Sequence, residues 1–276
     1  MLAGTIGERH LWRPFALYAA ADYLKGHLRE SGYVPRADAY EVHGIRVENI
    51  EAVVAGSAAP GEIVVVGAHY DSVRGCPGAN DNGTGVAAVL ELASRFAGSS
   101  RRRTIRFVAF VNEEPPWFQT PAMGSAVYAN AARARGDRIV GMLSLETMGY
   151  YSDERGSQTY PPPLNLLYPD VGNFIGFVSN VRSARLLRRA ARAFTARTPF
   201  PMRSAAAPAA IPGVGWSDQW SFWQAGYPGL MVTDTAPYRY PWYHTAQDTP
   251  DKISADRLAV VVDGLEHVVH VLAGGR

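Results

Sequence analysis

The sequence predicts an α/β protein, a three-layer sandwich in which helices flank a mixed, mostly parallel central sheet. Short apolar runs rich in β-branched residues alternate with longer segments of helical periodicity along most of the chain. Several of these runs, such as IVVV at 63–66, are apolar on both faces, which is typical of strands covered from both sides. We expect the 276 residues to form one domain of this class.

The predicted elements follow one another with strands and helices largely alternating. Glycine-bounded, β-branched runs predict strands, and apolar residues three and four apart predict helices. Ser254 is a candidate N-cap for the last helix. The segment 150–172 is rich in Tyr, Pro and Gly and shows neither the strand pattern nor the helix pattern. The predicted strands are 47–56, 62–70, 104–113, 138–146, 172–180 and 228–235, and the predicted helices are 13–31, 85–96, 122–135, 183–197, 217–226 and 254–272.

Composition and charge exclude several classes of protein. Hydrophobic residues make up 47% of the chain and charged residues 19%, which indicates a folded globular protein. A formal charge of +2 does not indicate nucleic acid or membrane as a partner, and no apolar run is long enough to span a bilayer. The single cysteine, Cys76, excludes an internal disulfide. No secretory signal is visible at the start, so we expect a cytoplasmic protein, with secretion open for a chain already trimmed of its signal.

Acidic and histidine side chains follow several predicted strands at the point where each strand ends. The carboxyl ends of parallel strands meet at one edge of a sheet, where sites collect in this fold class. Residues i and i+2 of an extended chain share a side, so Asp71 is a candidate acceptor for the His69 imidazole. The candidates are His69 and Asp71 in GAHYDS, Asp81 in ANDNGTG, Glu113 and Glu114 in NEEPP, Glu146 in LSLE, and His244 and Asp248 in YHTAQD.

The adjacent pair Glu113-Glu114 suits two different tasks. Alternation along an extended chain sends the two side chains in different directions, and Pro115 holds Glu114 out of helical geometry. One carboxylate is then free to bind a metal while its neighbour faces the reacting water.

The inventory of candidate ligands matches two zinc ions. Catalytic zinc takes ligands from His, Asp, Glu and Cys and keeps one position for water. Two ions that share Asp81 and a water each need one histidine and one further carboxylate. The chain provides His69, His244, Glu114 and Glu146, and leaves Glu113 for a general base. Each residue alone also has a structural explanation, but their order at successive strand ends favours the metal.

These segments resemble the co-catalytic zinc aminopeptidases of clan MH, a group that also includes the animal-type glutaminyl cyclases. The resemblance extends from about residue 4 to residue 272. The motifs that carry it are GAHYDS, PGANDNGTGVA, FVNEEPP, MGSAVYA, LETMGYY, SDQWSF and YHTAQDTPDKI.

The resemblance implies a role for each candidate residue. Asp81 would bridge the two metals and be followed by a cis peptide bond to Asn82. Glu113 would be the general base, and Tyr243 would stabilise the oxyanion. The remaining implied roles are zinc ligation by His69 and Glu146 at one site, zinc ligation by Glu114 and His244 at the other, and support of the ligands from behind by Asp71, Asp218 and Asp248.

Two positions depart from the family pattern. Glu146 stands where most aminopeptidases of this group have aspartate, which bears on the geometry and occupancy of one zinc site. Gln219 stands in SDQW where histidine is common, and we expect this difference to alter either a contact that supports a metal ligand or the substrate pocket.

We therefore expect a zinc-dependent aminopeptidase that acts on peptides with a free N-terminus. Segment 150–172 is expected to wall the substrate pocket, with Tyr150, Tyr151 and Phe174 contributing apolar surface. One alternative is a glutaminyl cyclase-like acyl transferase with one zinc. Another is a carboxypeptidase-type member, for which Arg74 and Arg239 are the candidates to bind a substrate carboxylate. A non-catalytic relative fits less well because the full ligand set is present.

Overall fold

Eight strands form the centre of the protein in the computed structural model, which describes residues 1–162 and 164–275. In chain order the strands are β1 (Arg36–Val42), β2 (Ile45–Val54), β3 (Gly56–His69), β4 (Arg101–Phe110), β5 (Arg138–Glu146), β6 (Ile175–Ser179), β7 (Met202–Ala206) and β8 (Gly229–Thr233). The α-helices of these residues are α1 (Pro14–Glu30), α2 (Gly85–Phe96), α3 (Gly124–Ala134), α4 (Ala184–Arg197), α5 (Gln219–Gln224), α6 (Ala236–Arg239) and α7 (Ala255–Leu272).

The strands form one mixed sheet in the order β1-β2-β4-β3-β5-β8-β6-β7. The central strands β4, β3, β5 and β8 run parallel to one another, as do β6 and β7. The antiparallel pairs are β1–β2, β2–β4 and β6–β8. The carboxyl ends of the parallel strands therefore meet at the middle of one sheet edge, which is where ligands bind in open α/β sheets.

Helices cover both faces of the sheet because apolar side chains alternate along its strands. On β3, Val64 and Val66 belong to the core on one face, while Ile63 and Val65 belong to the core on the other. Helices α1, α2, α4 and α7 pack on the first face, and α3 and α5 pack on the second. The predicted three-layer α/β fold with a mixed, mostly parallel sheet is confirmed.

The strands and α-helices that the sequence analysis did not predict are β1, β7 and α6. Strand β7 has the sequence MRSAA, which does not alternate between apolar and polar residues, and α6 is a single turn. Strand β3 begins at Gly56, ahead of its apolar run, and its pairing with β4 shifts register between Gly56 and Ala59 and again before Ile63. Along the described chain, no helix has the length and apolar character needed to cross a bilayer.

Candidate metal centre

Two neighbouring strand ends and the turn before α2 bring one group of candidate ligands together. His69 is the last residue of β3 and Glu146 the last of β5, while Asp81 lies in the tight turn that precedes α2. The His69 Nε2 atom is 3.3 Å from Asp81 Oδ1 and 3.4 Å from Glu146 Oε2. All three residues are buried. Their donor atoms lie within 4.8 Å of one another, which is close enough to share one metal ion.

A second group forms on the other oxygen of the same aspartate. His244 Nε2 is 3.0 Å from Asp81 Oδ2 and 3.3 Å from Glu114 Oε2. His244 reaches the site from the loop between α6 and α7, and its backbone has a positive φ of 59°. Asp81 therefore faces both groups with one carboxylate oxygen each.

The remaining carboxylate of the site belongs to Glu113, which follows β4 in the chain. Its Oε2 atom is 3.7 Å from His69 Nε2. The adjacent Glu114 points to the second group, so the two neighbours are directed apart as expected for an extended chain. Asp71 fixes this turn, because its two carboxylate oxygens accept the main-chain N–H groups of Glu113 and Glu114, each at 3.1 Å. Asp71 Oδ1 also lies 3.5 Å from His69 Nδ1.

The turn that carries Asp81 is held by polar contacts on both sides. Asp248 accepts the main-chain N–H of Asn80 at 2.8 Å and that of Asp81 at 3.1 Å. The next peptide bond, Asp81–Asn82, is cis, as the sequence resemblance implied. The Asn82 amide donates to the carbonyl of Leu145 at 2.8 Å and thereby ties the turn to the end of β5.

Glu146 is oriented by two donors that sequence analysis did not single out. Its Oε2 atom accepts the Ser217 hydroxyl at 2.6 Å and the Asn82 amide at 3.3 Å. The extra methylene of glutamate relative to aspartate therefore does not prevent this side chain from reaching His69. The contact of 3.4 Å from Glu146 to His69 is comparable to that of 3.3 Å from Glu114 to His244.

Buried negative charge dominates the electrostatics of the site. Burial raises the pKa of Glu113 well above its ordinary value, and the charge of Glu114 adds to the increase. Burial and the charge of Asp81 raise the pKa of Glu114 to about 7. Burial lowers the pKa of His244, but the adjacent carboxylates of Asp81 and Glu114 outweigh burial and raise this pKa to about 10. The carboxylates thus crowd together in a place that strongly favours a cation.

The donor set fits one or two divalent metal ions. Both ring nitrogens of His69 and the Nε2 atom of His244 are buried without a hydrogen-bond partner among the residues described. Imidazole nitrogen and carboxylate oxygen are ligands that zinc prefers. The unpaired nitrogens thus have the environment of metal ligands, because carboxylate oxygens lie beside them without forming hydrogen bonds to them.

An apolar cavity opens beside the candidate metal centre. Glu146 and Tyr243 line its end at the metal centre, and Tyr243 stacks on His244 with ring centroids 3.9 Å apart. Burial raises the pKa of Tyr243 well above its ordinary value, and the negative charges of the site add to this, so its hydroxyl keeps its proton. The wall includes Tyr160, Pro161, Leu164 and Tyr168 from segment 150–172, with Phe174, Phe177, Val178, Ala205, Trp216, Met231 and Tyr238 from elsewhere.

The pocket residues predicted from sequence require a correction. Phe174 lines the cavity, but Tyr150 and Tyr151 lie outside it. Tyr150 packs against Tyr240 and Trp242, with ring centroids 5.1 and 5.9 Å away. Tyr151 packs edge-on against Phe200, and its hydroxyl donates to the carbonyl of Met148. This side chain therefore packs against the protein core. Composition indicated aromatic residues in this segment but not the direction in which each one faces.

Other predicted residues lie behind the site or away from it. Asp218 is fully buried with no hydrogen bond to its carboxylate among the described residues, and burial raises its pKa to about 7. Gln219 donates to the carbonyl of Val214 at 3.1 Å, so it contributes to the structure near the cavity. Arg239 is buried and donates to Gln158 Oε1 at 2.7 Å and to the carbonyl of Phe174 at 2.8 Å. Arg74 is exposed.

Comparison with known proteins places this chain in a family. The family model described as Peptidase family M28 matches residues 49–269, which is most of the chain. The chain belongs to peptidase family M28. A relative of this M28 chain in Escherichia coli (strain K12), described as uncharacterized protein YfbL, is 36% identical over 258 residues, which cover 90% of this chain and 78% of the relative.

Two solved structures show the same fold. The zinc aminopeptidase from Bacillus subtilis superposes with a TM-score of 0.65 at 25% identity, covering 83% of this M28 chain and 51% of its own. The chain therefore spans about half the length of that aminopeptidase. A glutaminyl cyclase from Fimbriiglobus ruber superposes with a TM-score of 0.73 at 19% identity, covering 96% and 90% of the two chains, and shows likeness of fold.

Sequence analysis assigned no contact at the site to three polar residues of this M28 chain: Asn82 and Ser217, which donate to Glu146, and Arg9, which donates to the carbonyls of Tyr70 and Gly78 near the candidate ligands. Asn82 and Ser217 lie next to candidate residues in the motifs ANDNG and SDQW, and this adjacency was the available signal. Arg9 lies before the segment matched by the family model and carries no such signal.

Proposed function

We propose that the protein is a zinc-dependent aminopeptidase that removes the N-terminal residue from peptides. The observation that carries the proposal is the sharing of Asp81 between two ligand groups, one with His69 and Glu146 and the other with Glu114 and His244. Glu113 lies beside these groups and belongs to neither of them. A carboxylate in that position is what a general base requires.

Zinc fits these residues by donor type, and the Bacillus subtilis structure with this fold is described as a zinc aminopeptidase. When bound, zinc ions in such sites lower the pKa of a water and polarise the scissile carbonyl group. His69, Asp81 and Glu146 would hold one ion, and the second would be held by Asp81, Glu114 and His244.

The protein's own residues perform the proton transfer and stabilise the charge that develops. Glu113 takes a proton from the attacking water and passes it to the nitrogen of the leaving amine, because its carboxylate lies beside both ligand groups and belongs to neither. Tyr243 keeps its hydroxyl proton and donates a hydrogen bond to the oxyanion that forms on the scissile carbonyl. Asp71 keeps Glu113 in place through its hydrogen bond to the main chain.

Substrate binding follows from the charge and shape beside the ligands. The carboxylates around Asp81 attract the protonated α-amine of a peptide, and the cavity next to Glu146 accepts the side chain of its first residue. Because aromatic and aliphatic side chains form most of the cavity wall, we expect large apolar N-terminal residues to be preferred.

The test is hydrolysis of a panel of aminoacyl arylamides by zinc-loaded protein, with N-acetylated versions of the same compounds as controls. We expect cleavage that requires the free amine, ceases after chelation and returns with added zinc. Cleavage of the acetylated compounds at equal rate, or cleavage that survives complete removal of metal, would contradict the proposal.

A glutaminyl cyclase-like activity is the second candidate because Glu146 replaces the aspartate of most aminopeptidases. A peptide with N-terminal glutamine separates the two activities, since a cyclase releases ammonia and leaves pyroglutamate on the peptide, whereas an aminopeptidase releases free glutamine. The carboxypeptidase alternative has less support, because the Arg239 guanidinium already donates to Gln158 and Phe174 inside the protein.

A further inference from the structure

Arg9 is a fully buried cation in the segment that precedes α1. Among the residues that the structure describes, its guanidinium donates only to main-chain carbonyls: Tyr70 at 2.6 Å from Nε, Pro77 at 2.5 Å and Gly7 at 3.2 Å from Nη1, and Gly78 at 2.9 Å from Nη2. Three of these acceptors lie in the loop 70–78, which joins the end of β3 at His69 to the turn that carries Asp81.

The main chain of Arg9 pairs with the same loop. The Arg9 N–H donates to the Ser72 hydroxyl at 3.1 Å, and the Ser72 N–H donates to the Arg9 carbonyl at 2.8 Å. The Ser72 hydroxyl in turn donates to the carbonyl of Cys76 at 2.9 Å. Next to Arg9, Glu8 accepts the Gly75 N–H at 2.6 Å. The loop is therefore fixed at both of its ends and in its middle by residues 8 and 9.

The contact of Arg9 with Gly78 lies three residues before Asp81, the proposed bridging ligand. Gly78 has a φ of 65°, and a Cβ at this position would collide with the Asp81 carbonyl oxygen and lie 3.1 Å from Arg9 Nη2. From the other side, Asp248 accepts the N–H groups of Asn80 and Asp81. A guanidinium fork thus holds the carbonyls before Asp81, while a carboxylate holds the amides at and before it.

Burying an arginine without a bonded carboxylate is costly, so the surroundings must compensate. Burial lowers the pKa of Arg9, but the charges of Asp71, Asp248 and Asp81 oppose that effect. Asp81 is the proposed bridging ligand, and the other two aspartates hold the loops of the site. The positive charge of Arg9 therefore lies behind the anionic site and balances part of its negative charge.

We propose that Arg9 is a positioning residue for the metal centre, and that its guanidinium fixes loop 70–78 so that His69 and Asp81 are preorganised to bind the same ion. This inference rests on the proposed metal site. A planar fork that donates to three carbonyls of one loop defines the loop conformation more fully than a single ammonium group can.

The experiment compares Arg9→Met with the wild-type protein. In the metal-free state we expect amide hydrogen exchange across residues 70–84 to accelerate, because the loop loses its donors. Zinc affinity, measured by competition with a chromophoric chelator, should fall by about tenfold to a hundredfold. In turnover assays kcat should fall more than KM changes.

Arg103→Met is the matched control. Arg103 is a part-buried arginine that donates to the carbonyl of Leu272 at 2.9 Å and pairs with Glu62, on β4 far from the strand's carboxyl end. Its loss should lower thermal stability without altering zinc affinity or exchange in 70–84. If Arg9→Met is folded at the assay temperature and matches the wild type in exchange and zinc affinity, the inference is wrong even if its melting temperature is lower.

Arg9→Lys keeps the positive charge, and it replaces Arg9→Met in these measurements if Arg9→Met does not fold. We expect this variant to fold and to show the same two defects in weaker form, since one ammonium group cannot reach all the acceptors. Wild-type exchange and zinc affinity in Arg9→Lys would overturn the positioning role. Both measurements are made without substrate, so they test Arg9 even if the wild-type protein hydrolyses no peptide.

Discussion

Asp248 accepts the main-chain N–H of Asp81 at 3.1 Å, although the two residues lie 167 positions apart in the chain. Together with its bond to Asn80, this contact orients the carboxylate that both ligand groups share. Asp248→Asn would present an amide N–H₂ to one of these donors. We expect metal affinity to fall by about tenfold to a hundredfold, as for other groups that orient a ligand.

The control for that prediction is Asp251→Asn, three residues further along and exposed. Metal titration by chelator competition should show no change for it. Equal affinities for the Asp248 and Asp251 variants would show that the main-chain contact at Asp81 does not influence metal binding.

Glu113→Gln should retain metal and lose turnover. The amide keeps the size of the side chain but cannot accept the proton of the attacking water, so kcat should fall by about 10²- to 10⁴-fold. Elemental analysis and steady-state kinetics on the same sample measure both properties. Glu91→Gln, on the exposed side of α2, is the control and should be unaffected. A Glu113→Gln enzyme with wild-type turnover would exclude the general-base role.

His244→Ala should lose metal as well as activity. The substitution removes the only imidazole of the second ligand group, so metal content should fall from about two ions to about one. The change is measured by elemental analysis after dialysis against trace zinc. His267→Ala, on α7, removes a histidine elsewhere and should keep full occupancy. Unchanged metal content in His244→Ala would exclude it as a ligand.

The stability of the metal-free protein should decrease as the pH rises from about 5 to 9. The pKa values of Glu114 and Asp218 are raised to about 7 in the folded protein, mainly by burial. The folded state therefore binds protons that the unfolded state has already released, and the associated stability is lost as the pH rises towards 7. The carboxylates around His244 raise its pKa to about 10. The stability that protonated His244 contributes is therefore fully present below about pH 6.5 and is lost as the pH rises towards 10.

Thermal unfolding of the chelated protein across this pH range measures the effect. Added zinc should remove most of the slope, because a bound cation stabilises the deprotonated ligands. A metal-free protein whose stability rises between pH 5 and 9 would contradict the buried, anionic description of the site.

Ala205→Phe should narrow the cavity and change substrate preference. Ala205 on β7 lines the cavity, so a phenyl group there competes for space with a large N-terminal side chain. We expect kcat/KM for leucine and phenylalanine arylamides to fall by about tenfold or more relative to the alanine compound. Ala206→Phe is the control, because the neighbouring exposed residue points to the other side of the strand. Identical substrate rankings for both variants would exclude the cavity as the specificity pocket.

The sequence predicted the fold and the candidate ligands because both depend on local patterns. His69 and Glu146 end buried strands, and Asp81 opens the turn before a helix, so strand and helix prediction alone located them. The pocket was predicted less well. Tyr150 and Tyr151 lie in a segment without periodicity, so the pattern contained no information about which way each ring points.

Arg9 shows a different limit of sequence reasoning. Its acceptors in loop 70–78 are main-chain carbonyls 61 to 69 positions further along the chain. Every residue has a carbonyl group, so the identity of its partners leaves no trace in the residue types. Strand β7 was missed for a related reason, since an edge strand with the sequence MRSAA pairs through its backbone without an alternating apolar face.

Apart from Glu146 and Tyr243, which line the cavity at the metal centre, the cavity wall and the ligand groups come largely from separate parts of the chain. The candidate ligands lie on the central parallel strands and the loops that follow them, whereas much of the wall comes from segment 150–172 and from β6 and β7 at the sheet edge. Sequence divergence at that edge can therefore change which peptides are cut without disturbing the chemistry. A mutant library confined to the wall would be expected to yield enzymes of altered selectivity at little cost in metal binding.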